Sequence, residues 1–493
     1  MFKTLKNAWN VQEIQNKILF TLLIILLYRV GSAIPVPYVS QGILSSFNSA
    51  YGGTIFGYMS ILSGGALSQA TLFALSVSPY ITSSIVIQLL TVAFPNSLGK
   101  LAKEGEEGQK KIQKYTRILT VAIALVTAYG YTALLANNGW LDSTAITWKG
   151  MWASNGFTGT VNTLVIIASY VAGASIIMWL AERINERGIG NGISIILFAN
   201  IIASLPSLIY NLITLVIGTY QYTEKAWLYG IVSTLFAIVL LASLVAIVVF
   251  IIWVTGSERR IPVQYAKRVV GRKMYGGQSS NIPLKLNMTG VMPVIFASSI
   301  VSLVPTILAL CGVTSATDNF WGKLNKFLAS DGFVYPITLF VLIIAFAYFY
   351  TQITFDPMEV ANNLKKQGGA IPGIRQGRPT ADYIRKILNK VTLVGALFLS
   401  IIAVTPVLVG PHVLQHLLEW IVGGAYSGAT MNYTIYGNQI VTIDQAIQLQ
   451  ASSFTSIFTF GGTSILIVVG VAIETFRELE AQLTMRNYKG FLN

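Results

Sequence analysis

The sequence predicts an all-α polytopic membrane protein with ten transmembrane helices, and three observations carry that prediction. Of 493 residues, 54% are hydrophobic and only 11% charged, against roughly 25% charged in soluble proteins. With a mean hydropathy of +0.64, too little polar surface remains to cover a particle of this size in water. Apolar runs long enough to cross about 30 Å of hydrocarbon recur ten times along the chain. Finally, the basic residues behind the net charge of +14 alternate from loop to loop as they do around membrane spans.

The runs fall at roughly 18–38, 71–94, 118–136, 160–180, 193–217, 228–254, 289–312, 335–355, 391–410 and 460–475. They read as helices, because an open strand leaves its backbone unsatisfied in lipid and barrel-type alternation is missing. The first resembles a signal peptide over Ile18–Tyr28, but no small-x-small cleavage site follows, and Pro35 and Pro37 close a full-length span. It is expected to remain in place. The stretch Ile61–Leu90 is too long for one span and is broken at Gly64-Gly65 and again at Ser76–Pro79. A short re-entrant helix followed by a true span fits it, with the break lining a channel-like interior; the spacing fits a small-residue helix contact equally well.

Sorted by alternate loops, 28 Lys and Arg lie on the side carrying both termini and four on the other (Lys149, Lys225, Lys323 and Lys326), with Arg29 inside the first span. That bias places both termini and the basic loops Pro95–Thr116, Thr255–Met288 and Asp356–Asn389 in the cytoplasm. None of these loops is long enough for a separate domain. A cut near Tyr220 leaves five spans on each side, and an odd number makes related halves inverted. The expected organisation is therefore a cytoplasmic segment 1–17, halves 18–220 and 221–475, and a tail 476–493. Pro79 and Pro293 are expected to interrupt the second span of each half, marking a pathway or a packed kink.

Chemistry is scarce. Lone Cys311 and the pair His412 and His416 give no metal-site or disulfide pattern. No Walker-type G-x-x-x-x-G-K-[S/T] occurs, and the spans hold essentially one charge, Arg29, where ion-coupled transport calls for buried carboxylates. Arg29 reads as a snorkelling or backbone-paired residue beside the Gly31–Pro37 break. Cofactors, metals and catalytic residues are not expected. A secondary transporter is the principal competitor to a passive channel, and the missing carboxylates count against it.

Seven segments together resemble the SecY family, the central channel subunit of the bacterial-type Sec protein translocase. They are SGGALSQATLFALSVSPYITSSIVIQLL (63–90), KEGEEGQKKIQKYTR (103–117), WLAERINERGIGNGISI (179–195), RRIPVQYAKR (259–268), PLKLNMTGVMPVIFASSI (283–300), NLKKQGGAIPGIRQGRPT (363–380) and FGGTSILIVVGVAIET (460–475). The resemblance implies an hourglass pore between two pseudo-symmetric inverted halves. Such a channel passes unfolded secretory polypeptide across the membrane and releases transmembrane helices sideways into lipid.

It places a pore ring on Val77, Ile81, Ile193, Leu197, Ile295 and Ile467, where aliphatic side chains can exclude ions without binding the passing chain. It places a plug at about 56–71, including Phe56, Met59, Ile61, Leu62, Ser63, Gly64, Gly65 and Leu67, and a gate cluster at Gln88 and Asn191. Docking of a motor or ribosome falls on Arg375, Arg272, Lys273, Arg259, Arg260, Lys267 and Arg268, within loops 255–288 and 356–390 that hold 14 of the 33 basic residues. Charge alone is equally compatible with positive-inside orientation and anionic lipid. Gln376 stands where the family commonly has a proline. Implied partners are SecE and SecG in a heterotrimer, the SecA ATPase, the ribosome, SecDF, YidC-type insertases, signal peptides and unfolded polypeptide, at the plasma (inner) membrane. The long external stretch 411–459 carries no readable role.

Overall fold

A computed structural model of the chain describes residues 9–39, 47, 55–141, 156–221, 226–265, 268–270, 273–275, 279–310, 320, 322–323, 334–409 and 462–484. Helices dominate. In chain order they are α1 (Gln12–Gly31), α2 (Ile55–Leu62), α3 (Ser78–Ala93), α4 (Leu98–Lys103), α5 (Glu106–Asn137), α6 (Gly156–Arg187), α7 (Gly192–Gln221) and α8 (Ala226–Gly256). They continue with α9 (Met292–Leu310), α10 (Val334–Thr354), α11 (Pro357–Lys366), α12 (Arg378–Val409) and α13 (462–484).

Six described helices are long and apolar enough to cross a membrane, and shorter apolar stretches occur in α3, α7 and α9. Together with α13 they follow the ten expected spans in order. The surface is inverted relative to a soluble protein. α8 exposes Leu235, Ile238, Val239, Val245 and Trp253, while buried hydroxyls close onto their own helices, as in Thr120 to the Thr116 carbonyl and Thr132 to that of Ala128. This intrahelical bonding satisfies a polar group that lipid cannot. α5 and α6 are clamped by a two-pronged ion pair, Arg117 Nε to Glu182 Oε1 at 2.9 Å and Nη2 to Oε2 at 2.8 Å, which joins two of the segments that carry the family resemblance.

Two expectations change. Pro79 and Pro293 do not interrupt spans: both stand in the first turn of their helices, α3 and α9. Proline belongs there because its missing N–H has no intrahelical partner at a helix start anyway. Prolines stand inside helices at Pro206 in α7, Pro305 in α9 and Pro406 in α12. The second span also begins later than expected, at Ser78 instead of residue 71, because 63–77 forms turns.

The two loops expected to be cytoplasmic build a small unit of their own. β1 (Glu258–Tyr265) pairs antiparallel with β4 (Ser279–Lys285), in register from Glu258 opposite Lys285 to Gln264 opposite Ser279. β5 (Gly369–Ala370) pairs on the other edge of β1, and β2 (Arg268–Val270) with β3 (Lys273–Tyr275) makes a separate hairpin. Ile261, Val263 and Leu284 of the sheet bury against Leu364 of α11, Ile371 and Ile384 of α12. The Asp356 carboxylate caps α11 by accepting from Met358 N–H at 2.8 Å, ahead of Pro357 in the first turn.

Candidate pore, plug and gate

The expected plug begins as a helix and ends in turns. α2 contains no charged residue and stops at Leu62; Gly64 and Gly65 then take φ of 66° and 87°, a left-handed backbone open to glycine at little cost. Met59, Ile61 and Leu62 are half-buried, Ser63 and Leu67 buried. Phe56 lies on the helix, but its side chain is outside the described residues.

Non-helical backbone at membrane depth must find partners, and those of 62–72 come from four surrounding segments. The Tyr131 hydroxyl of α5 donates to the Leu67 carbonyl at 2.5 Å, and the Tyr170 hydroxyl of α6 to the Ala70 carbonyl at 3.4 Å. Asn200 Nδ2 of α7 donates to the Leu62 carbonyl at 2.8 Å and to the Tyr28 hydroxyl of α1 at 2.9 Å. Leu72 N–H donates to the Ile34 carbonyl at 2.9 Å, beside an antiparallel bridge of Pro35 with Thr71. Within the segment, Ser63 Oγ donates to the Ser60 carbonyl at 2.9 Å and accepts from Leu67 N–H at 3.0 Å. Ring contacts reinforce the seat: Tyr28 stacks on Phe73 at 5.4 Å, and Tyr131 meets Tyr170 edge-on at 5.2 Å. Arg29 is half-buried and donates to the Ala199 carbonyl of α7, the backbone-paired form of its expected role.

The six candidate ring residues share a placement. Val77 immediately precedes α3 and Ile81 lies one turn on; Ile193 and Leu197 occupy the first two turns of α7, Ile295 the first turn of α9, and Ile467 the second turn of α13. Five are buried and Ile193 is half-buried, and all belong to or pack against one apolar cluster. A cavity is lined by Met59 and Leu62 of α2, the candidate ring residues Ile81 and Leu197, and Ser298 and Ser302 of α9.

α3 packs against α9 along the candidate gate. Gln88 and Asn191 find local partners: Gln88 Nε2 donates to Ser84 Oγ at 3.1 Å, and Asn191 Oδ1 accepts from Ile193 N–H at 3.1 Å at the start of α7. Among the described residues no hydrogen bond joins the two. The hydroxyls of these helices bond within their own helix, Thr82 to the Ser78 carbonyl, Ser83 to that of Pro79, and Ser298 and Ser299 to that of Ile295.

At the β-sheet end, Arg375 is exposed at the tip of a turn flanked by Gly373 and Gly377, at φ of 81° and 93°. Its carbonyl accepts from Thr380 Oγ1 at 2.7 Å, and Gln376 Nε2 ties the turn to the Gly369 carbonyl of β5 at 3.2 Å. Arg259 and Arg260 are exposed on β1, Arg260 paired with Glu258 at 2.7 Å. Arg268 and Lys273 sit on the β2–β3 hairpin, where their side chains are outside the described residues, as are Lys267, Arg272 and the stretch 411–459. Burial, and then Arg477 nearby, lowers the Lys285 ammonium below its ordinary range, with Glu258 opposing. Arg477 also donates to the Thr255 carbonyl at 2.9 Å, fastening α13 to the end of α8.

Sequence reasoning did not assign Tyr28, Tyr131 and Asn200 to the plug seat. The available signal was polarity inside an apolar run, most plainly Asn200 within 193–217, where lipid makes an amide costly unless it is used.

A SecY family model matches residues 71–476. The protein translocase subunit SecY of Streptomyces galbus is 40% identical over 495 residues, covering all of both chains, and that of Mycobacterium bovis is 39% identical over 489 residues, covering 97% of each. In fold, the chain is similar to a solved protein-conducting channel at a TM-score of 0.57 and 15% identity, with 95% of this chain and 92% of that one covered. It is similar, with the same score and coverage at 16% identity, to a SecY structure whose plug domain is described as stabilising the closed state and maintaining a membrane seal. Sec61 in a canine ribosome-channel complex aligns at 0.54 and 15% identity, over 95% of this chain and 92% of that one. Apolar helices that follow the ten expected spans in order and a family match across most of the sequence agree: the chain belongs to the SecY family of protein translocase subunits.

Proposed function

We propose that this chain forms the passive protein-conducting pore of a Sec translocase, closed at rest by a plug at about 56–71 resting on an aliphatic ring. The observation that supports this most directly is the shared cavity, in which Met59 and Leu62 of α2 face the same space as Ile81 and Leu197. An apolar constriction bars hydrated ions by dewetting and offers a moving polypeptide no specific bonds to break. The chain is a channel subunit and not an enzyme, so a partner drives transport.

The exposed Arg375 turn, together with Arg259 and Arg260 on the sheet that the turn is tied to, is the docking face for a motor such as SecA or for a ribosome, both of which suit a basic surface. SecE and SecG complete a heterotrimer, with SecDF and YidC-type insertases as further partners. The protein crosses the plasma membrane with both termini in the cytoplasm, and its halves 18–220 and 221–475 part between α3 and α9 to release hydrophobic helices.

The test reconstitutes the chain with SecE and SecG in vesicles, adds SecA, ATP and a secretory precursor, and measures protease protection of the precursor inside. ATP-dependent protection is expected. Its absence, with the same partners active on a control channel, removes the channel reading in favour of a solute transporter.

A further inference from the structure

The end of α2 and the glycine turn after it meet a polar group contributed by two spans. Asn200 Nδ2 holds the carbonyl of Leu62, the last residue of α2, at 2.8 Å. Its Oδ1 is buried without a hydrogen-bond partner and lies 3.2 Å from where a Cβ on Gly64 would stand. Arg29, in the last turn of α1, donates to the carbonyl of Ala199, the neighbour of Asn200, and its Nη1 lies 2.7 Å from the same Cβ position. Gly64 is therefore constrained twice, by its left-handed φ and by a guanidinium standing where a Cβ would have to go. The terminal carbonyls of a helix carry partial negative charge, so a cation beside the end of α2 is favourable where it stands.

We infer that Arg29 and Asn200 form a latch that fixes the pivot of the plug, a positioning role that rests on the channel reading above. Arg29 is the charge inside the first span, where a charge without a task is costly. Both latch residues act at the point where the helix gives way to turns, and a rotation about Gly64 and Gly65 would swing α2 while leaving 66–77 bound to α1 and α5. Asn200 also holds the Tyr28 hydroxyl at 2.9 Å, so the latch registers the spacing of α1 against α7. Parting those spans would loosen the plug.

The test measures the resting ion conductance of the reconstituted heterotrimer carrying Asn200→Leu or Arg29→Gln, each in the full chain and in a chain lacking 56–63. A latch bond worth one decade of equilibrium predicts a rise of about tenfold in the full chain, and no further rise once the plug is gone. Resting conductance equal to the parent overturns the latch. So does an equal rise in the plug-deleted channel, which would mean that the substitutions act on ring packing. Gly64→Ala approaches the same contact from the plug side, where its Cβ would collide with the guanidinium; it is expected to raise conductance likewise, and it keeps the question open to measurement if a span variant fails to assemble. ATP-dependent precursor protection in the parent channel, measured alongside, separates failure of the latch from failure of the channel reading.

Discussion

Residues 63–77 and the strands within 258–285 both abandon the helix, and they satisfy their backbones in opposite ways. The strand segment pairs with itself and with β5 through continuous ladders and closes over a core of its own. The turn segment borrows partners from outside: tyrosines on α5 and α6, and the backbone after α1. A ladder is lost cooperatively, whereas separate borrowed bonds can be lost one at a time. The strand unit is therefore built to keep its shape under load, and the segment between α2 and α3 to shift when its neighbours shift.

The largest effect that would sharpen this contrast is Ile261→Asp. An unpaired carboxylate in the sheet core should cost about 3 kcal/mol or more and release the amides of β1 and β4 to hydrogen exchange, with the spans still protected; retained protection there would break the comparison. Arg375→Glu comes next. The side chain is exposed and the turn is held by Thr380 and Gln376, so folding and insertion should be unchanged while motor-driven precursor transport is lost. Unaltered transport would remove this turn from the docking face.

Tyr131→Phe removes one borrowed bond. A net loss of about 1 kcal/mol is expected, read as roughly fivefold faster amide exchange confined to 63–77, and a matching change in the strands would contradict their independence. Gln376→Ala is the smallest, about 0.5 kcal/mol, with exchange rising only between Ile371 and Gly377. Spread of that effect into β1 would show that the turn and the sheet are less separable than the bonding pattern implies.

The spans were legible because lipid imposes one demand, about twenty apolar residues in a row, and the ten runs meet it. Helix starts were less so: Pro79 and Pro293 look alike whether they kink a helix or begin one, and only the turn preceding Ser78 decides. The sheet left a faint trace, since the buried and exposed positions alternate only from Arg260 to Gln264, with two apolar residues inside, too short a run to separate from a loop. The ring positions carry no signature of their own, because an aliphatic residue at a helix start is indistinguishable from packing until the family motif is aligned. The plug seat was least visible, for its bonds join residues 64 and 138 positions apart, and no local pattern encodes such distances. The polar residues themselves were in view; what they touch was not.

The hydroxyls of α3 and α9 have a bearing on membrane insertion that their packing alone does not reveal. Thr82, Ser83, Ser298 and Ser299 each donate to a carbonyl three or four residues back on the same helix. None of these four bonds crosses the seam. When the two helices separate, these donors travel with their acceptors, so the newly wetted or lipid-facing surfaces acquire no orphaned hydroxyl hydrogens from them. For these groups the crevice has the same hydrogen-bond inventory shut or parted, and what an entering segment displaces there is side-chain packing.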